Sequence, residues 1–213
     1  MVKVVGIDAG YVNFAMCFLD EKSMSKPVYW DNSPLFTGEF SQERLVQAIY
    51  AWINTPDIKA MLQTADWIVL EKQLVQKYQA VNYCIRFLYF AKTIEVAPAT
   101  MSAYFKMAKT RKEKKKDAVA LTASNSPFWI KKGKKDDLAD AYLLACYGIF
   151  QTNPKLFEGW KDERGSSVAP RAKKSKNNVV VRSGKDTANQ SESSGIEQFA
   201  RLSTPFDGNG FFF

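Results

Sequence analysis

Residues 134–150, KKDDLADAYLLACYGIF, restrict the chain to folds that can enclose a helix. From Leu138 onward the segment is apolar on nearly every face, and a helix of that kind is stable only where other elements cover it all round. Its first turns nevertheless carry Lys134, Lys135, Asp136, Asp137 and Asp140. Asp137 and Asp140, three residues apart, share one face with Cβ atoms about 5–6 Å apart, whereas the adjacent Asp136 points elsewhere. Capping free N–H groups at the positive end of the helix would need only one acid. Asp140 lies a turn inside, between Ala139 and Ala141 and before Leu143, Leu144 and Cys146. A lone carboxylate so near the buried side is costly.

The elements able to cover that helix are a sheet and further helices. VKVVGID is a short β-branched strand broken by AG. NFAMCFLDE begins a second, and PVYW and LFTGEF extend a strand meander. SQERLVQAIYAWIN places Leu45, Val46, Ile49, Trp52 and Ile53 at helical spacing behind Ser41, and residues 54–57 with Pro56 interrupt it. DWIVLEKQ has the pattern of a buried central strand ending in charge. YQAVNYCIRFLYFAK follows as a helix, TIEVAPAT as a strand ended by Pro98, and residues 101–124 as one basic helical stretch. Strands first and alternating elements afterwards predict an α/β domain with a mixed sheet flanked by helices.

At 213 residues with 46% hydrophobic content, one globular domain with an appendage is expected. The domain is placed at residues 1–160. Residues 161–213 are expected to be a mostly disordered basic tail, rich in Ser, Lys, Asn and Gly, ending in the aromatic segment EQFARLSTPFDGNGFFF. That segment either straps onto its own domain or docks on a protein partner. No stretch reaches the roughly 20 apolar residues of a membrane span, and MVKVVGID is a strand instead of a secretory signal, so an intracellular protein is expected.

There is no histidine, which removes the commonest general base and zinc ligand together. Cys17, Cys84 and Cys146 lie in apolar segments without CxxC spacing and are expected as buried thiols. Catalysis in such a chain would run on carboxylates, lysines or a hard metal ion. The net charge of +8 is concentrated in residues 106–116, 131–135 and 171–176, a distribution suited to a polyanionic partner.

Two further acids stand at strand ends, Asp8 after VVGI and Glu71 after WIVL. Singly, each is an ordinary turn or cap residue. Together with Asp137 and Asp140 they form a set of hard oxygen donors suited to Mg²⁺ or Mn²⁺, since clustered carboxylates repel one another until a cation neutralises them. Two such ions can activate water and stabilise the leaving oxygen of a phosphodiester without histidine.

The ordered set GIDAGYVNFA, IVLEKQ and KKDDLADAYLLA resembles the RuvC-like Holliday junction resolvases, with the poxvirus-type and fungal mitochondrial branches nearest. The resemblance spans residues 1–150 or so. It implies a ribonuclease H-like fold with a mixed five-stranded sheet, a homodimer, and Mg²⁺-dependent paired nicking of four-way branched DNA with two ions per active site. It maps Asp8, Glu71, Asp137 and Asp140 onto the acidic metal-binding set and Asp136 onto a flanking acid. It also implies a catalytic lysine within KEKKKDAV, assigned to Lys116 with Lys115 as the alternative. Asn13 and Gln73 match positions that orient the strand ends or contact DNA, beside an equal reading as polar turn residues. The helix carrying Tyr83, Phe87, Leu88 and Phe90 is either fully buried or the dimer contact. A viral or an organellar origin is compatible with the resemblance.

Three other functions compete: an RNase H acting on RNA:DNA hybrids, an actin-like ATPase, and an inert DNA-binding relative. The ATPase reading needs a second domain of the same fold and another glycine-rich phosphate loop, neither of which is found.

Overall fold

In the computed structural model the described residues are 1–10, 13–35, 37–126 and 135–160. The expected tail, residues 161–213, lies outside them, as does the basic segment 131–134. Five strands form one mixed sheet: β1 (Lys3–Ala9), β2 (Phe14–Asp20), β3 (Tyr29–Asn32), β4 (Trp67–Glu71) and β5 (Thr93–Val96). Their order is β3-β2-β1-β4-β5. The first three strands pair antiparallel as a meander. β4 and β5 then add on the other side of β1, each in parallel. Parallel neighbours require crossovers, and these are supplied by α1 (Gln42–Ile53) and α2 (Pro56–Thr64) before β4, and by α3 (Gln76–Tyr89) before β5.

Strand alternation sorts the core into two layers. On one face Val5, Ile7, Ala9, Ile68 and Leu70 pack with Leu45, Ile49, Leu62, Val81 and Ile85 of α1, α2 and α3. On the other, Val4, Cys17 and Val69 meet α4 (Pro98–Tyr104), α5 (Arg111–Asn125) and α6 (Lys135–Thr152). α6 is the helix that opened the sequence argument, and it is enclosed as expected: Leu138, Ala139, residues 141–146, Ile149 and Phe150 are all buried. An aromatic cluster of Phe105, Phe150, Phe157 and Trp160 closes its far end.

The interruption of α1 at Pro56 is as expected: α1 ends at Ile53 and Pro56 opens α2, since the first turn has no N–H bond for proline to lose. Three expectations require correction. LFTGEF is not a strand in its described residues, and Gly38 at φ 101° turns the chain there. The single helix expected over residues 101–124 is two, with Lys106 in the left-handed region at φ 50° between them. The second starts at an N-cap, in which the Thr110 hydroxyl accepts from the Glu113 N–H at 3.3 Å and donates to its carboxylate at 2.6 Å. Finally, Cys84 is only half-buried, although Cys17 and Cys146 are buried as expected.

The amphipathic α1 is found as expected, although Val46 is exposed. Ser41 caps it by accepting from the Arg44 N–H, and Leu45, Ile49 and Ile53 face the sheet. α3 is not fully buried: Tyr83, Leu88 and above all Phe87, 88% exposed, point away from the core, as does Phe90 just after it. No helix among the described residues is long and apolar enough to cross a membrane.

Candidate active site

The face of the sheet under α6 determines where the acids go. On β1 the positions of Val4, Gly6 and Asp8 share that face by strand period, and on β4 Val69 and Glu71 do the same. β1 and β4 are parallel neighbours, so Asp8 and Glu71 arrive at the same edge of the sheet. α6 runs over this face and its first turns bring Asp137 and Asp140 to that edge. All four acids line one cleft of about 680 Å³. Three elements far apart in sequence thus converge.

Burial and mutual repulsion act on these carboxylates together. Asp8 is held well above the ordinary carboxylate range, first by burial and then by the charges of Glu71, Asp140 and Asp137. Asp140 is pushed up to about 7, again by burial first and Glu71 next. Burial also raises Glu71, against the opposing hydrogen bond from Gln73, whose Nε2 donates to Oε2 at 3.4 Å. Asp137 is the most enclosed of the set at 5% exposure. Among the described residues no three His, Cys, Asp or Glu side chains form a ready-made ligand shell for a single ion. An all-oxygen set of this kind suits a hard cation that keeps several waters and takes one or two carboxylates at a time.

The cleft rim is basic. Lys72, Lys109, Arg111, Lys114 and Lys115 line it, with Asn13, Gln73, Tyr78 and Ser102. The loop between α4 and α5 is pinned by Asp117, whose carboxylate accepts from the Ala108 N–H at 2.7 Å, which fixes Lys109 and Arg111 at the mouth. Lys115 and not Lys116 faces the acids. α5 buries Ala118, Leu121 and Thr122, and Lys115 lies on that same side by i, i+3 and i, i+7 spacing. Lys116, rotated by one residue, is exposed outside the cleft. Lys115 is ion-paired with Asp136, the flanking acid. Burial alone would lower its pKa, but the Asp136 bond and the charges of Asp136, Asp137 and Asp140 outweigh this and raise it. Asp136 does not line the cleft with Asp137 and Asp140; it holds the lysine that does.

Lys72, Tyr78 and Ser102 are cleft residues that the sequence reading did not single out. For Lys72 the signal was its place directly after Glu71; Tyr78 and Ser102 carried none that separates them from ordinary helix residues.

The raised carboxylates make the stability of the metal-free protein depend on pH with a definite sign. A carboxyl group whose folded pKa exceeds its unfolded value binds its proton more tightly in the native state. Its contribution is fully present below the unfolded value and is lost as pH rises through the folded one, near 7 for Asp140. In EDTA the melting temperature should fall by several degrees from about pH 5.5 to about pH 8, and Asp140→Asn should remove much of that fall. A flat or rising profile in the wild type would show that these acids do not share a site.

No protein-family model and no curated protein sequence matches the chain. Solved structures do match its fold. A Thermus thermophilus RuvC structure superposes with a TM-score of 0.52 at 13% identity, covering 71% of this chain and 96% of the other. T. thermophilus RuvC in complex with a Holliday junction substrate gives 0.52 at 17% identity, covering 73% and 97%. The complex of fowlpox virus resolvase with Holliday junction DNA gives 0.51 at 16% identity, covering 71% and 99%. The fold is the RuvC-like, ribonuclease H-type fold. The mixed sheet expected from the sequence is that of this fold.

Proposed function

We propose that the chain is a Holliday junction resolvase, a structure-selective endonuclease that makes paired nicks in four-way DNA junctions. The observation that carries this reading is the convergence of Asp8, Glu71, Asp137 and Asp140 on one cleft with a basic rim, on a RuvC-like fold. Both similar complexes contain junction DNA, which supports a branched substrate over a plain duplex.

The four acids would hold two Mg²⁺ ions, with Mn²⁺ able to substitute; such a pair, when bound, supplies an activated water and charge stabilisation for the leaving oxygen. The chain's own residues do the rest. Lys72, Lys109, Arg111 and Lys114 grip the phosphate backbone and hold the scissile phosphate over the acids. Lys115, kept protonated and aimed by Asp136, presents a cation to that phosphate beside the carboxylates.

A homodimer completes the reading. Tyr83, Phe87, Leu88 and Phe90 on or just after α3, with Val46 and Tyr50 of the neighbouring α1, are large apolar side chains left exposed, the kind of surface a partner would cover. A two-fold pairing through this face would offer two active sites to two symmetric strands. Sedimentation at the mass of a single chain would exclude it.

The deciding assay is a synthetic four-way junction with labelled arms in Mg²⁺. Symmetric nicks in opposing strands, absent from linear duplex, are the expected result. In the same assay Lys115→Ala should slow cleavage by about 100-fold, the scale of a lost proton donor or charge at the reacting group, while Lys116→Ala stays near wild type. Cleavage of an RNA:DNA hybrid with the junction left intact would replace the proposal with an RNase H activity.

A further inference from the structure

Behind Glu71, on the opposite side of the sheet from the cleft, sits a polar group that the proposed chemistry does not use. Asn82 of α3 is 1% exposed in the middle of the apolar layer formed with Val81 and Ile85. Its Nδ2 donates twice, to the backbone carbonyl of Glu71 at 2.9 Å and to Oε1 of Glu95 at 3.0 Å. Glu95 is in turn fixed by Arg86, whose Nη1 donates to Oε2 at 2.8 Å. Arg86 also belongs to α3, so the helix grips the ends of β4 and β5 at two points one turn apart.

The orientation of the amide follows from its partners. Both acceptors are oxygens, so turning the amide over would set oxygen against oxygen, and only Nδ2 can face them. The consequence is that Oδ1 is buried with no hydrogen bond among the described residues. Leucine at this position would fill a similar space, but would leave the Glu71 carbonyl and Glu95 Oε1 without the donor they share. What the donating end of this buried amide holds is the last residue of β4, and therefore the backbone from which the Glu71 carboxylate enters the cleft.

We propose that Asn82 is a positioning residue: it clamps the Glu71 carbonyl from the far face of the sheet and so sets the carboxylate's place among the cation-binding acids. This rests on the reading of the cleft as a divalent-ion site. It also couples that site to α3, the helix whose outer face carries Tyr83, Phe87 and Leu88. Ordering α3 against a partner would then tighten Glu71 through Asn82.

The test is Mn²⁺ binding by calorimetry to the full chain, together with thermal melting. Asn82→Leu should fold with a lowered melting temperature, because two acceptors lose their donor, and should bind Mn²⁺ at least about 10-fold more weakly, the range seen when a residue that orients a metal ligand is removed. Arg86→Ala loosens the same layer but keeps the Asn82–Glu71 bond, and should leave Mn²⁺ affinity within about two-fold, well short of that range. A folded Asn82→Leu protein with wild-type Mn²⁺ affinity would overturn the proposal. Should Asn82→Leu not fold, Asn82→Asp, which replaces the donor by an acceptor of the same shape, is read in its place. Failure of both to fold would assign Asn82 to stability alone and overturn the proposal equally. Absence of Mn²⁺ binding by the wild type would remove the cation site itself, and is distinguished by failing before any variant is compared.

Discussion

Asp8→Asn should lose at least about 1,000-fold of junction cleavage while binding the junction as tightly as the wild type. The substitution keeps the shape of the side chain and removes one charge. Asp8 is the acid whose proton affinity is raised by all three of the others, so it is central to the electrostatics of the cleft. Losing that charge removes a donor that no neighbour can replace, because Glu71 and Asp140 are anchored on different elements. DNA binding depends on the basic rim, which the variant leaves intact. A second readout guards against trivial loss of structure. Relief of carboxylate repulsion should let metal-free Asp8→Asn melt at or above the wild-type temperature near pH 8, where Asp8 is otherwise forced toward ionisation. A stable variant that binds but does not cut is the expected phenotype. Nicking at more than a tenth of the wild-type rate would show that these acids are not the catalytic machinery.

Most of the layout was legible in the sequence because the deciding signals are local. Apolar residues all round α6 demanded enclosure, and the β-branched runs before Asp8 and Glu71 marked buried strands ending in a charge. Ser41 announced α1 through its cap. What was not legible depends on partners distant in sequence. Adjacent lysines on α5 differ by about 100° in direction, and only the burial of Ala118, Leu121 and Thr122 against α6 sets the phase that turns Lys115 inward. The break at Lys106 was hidden by continuous helical composition, although the T-x-x-E spacing of Thr110 and Glu113 was there to be read. Asn82 looked like one more polar residue in a helix, since nothing in YQAVNY tells that it will be buried facing the Glu71 carbonyl and Glu95. LFTGEF has the composition of a strand, but no neighbouring edge pairs with its described residues.

Gly6→Ala should produce the largest loss of stability from a single added methyl group. A Cβ at Gly6 would stand 2.2 Å from the Ala141 carbonyl oxygen and 2.5 Å from the Ala145 nitrogen. Both are backbone atoms of α6, so no rotamer change can relieve the contact, and the helix as a whole must move off β1. Overpacking of this kind costs about 3 kcal/mol or more, which for a domain of this size lowers the melting temperature by roughly 10 °C. Gly148 supplies the contrast. A Cβ there meets only the tips of Val4 and Val69, each at 2.8 Å, and those side chains are able to yield. Gly148→Ala should therefore cost less, and Val4→Ala should recover part of its loss, whereas no side-chain truncation should recover Gly6→Ala. The consequence reaches the cleft because Gly6 lies two residues before Asp8, while Ala141 directly follows Asp140. Close approach of β1 and α6 at this glycine is what brings the two aspartates within each other's field. Even under conditions where Gly6→Ala remains folded, the pH dependence of its metal-free stability should be flatter than in the wild type, since lifting α6 separates the carboxylates that repel. A Gly6→Ala protein with wild-type melting temperature and an unchanged pH profile would show that the helix and strand are not in backbone contact here.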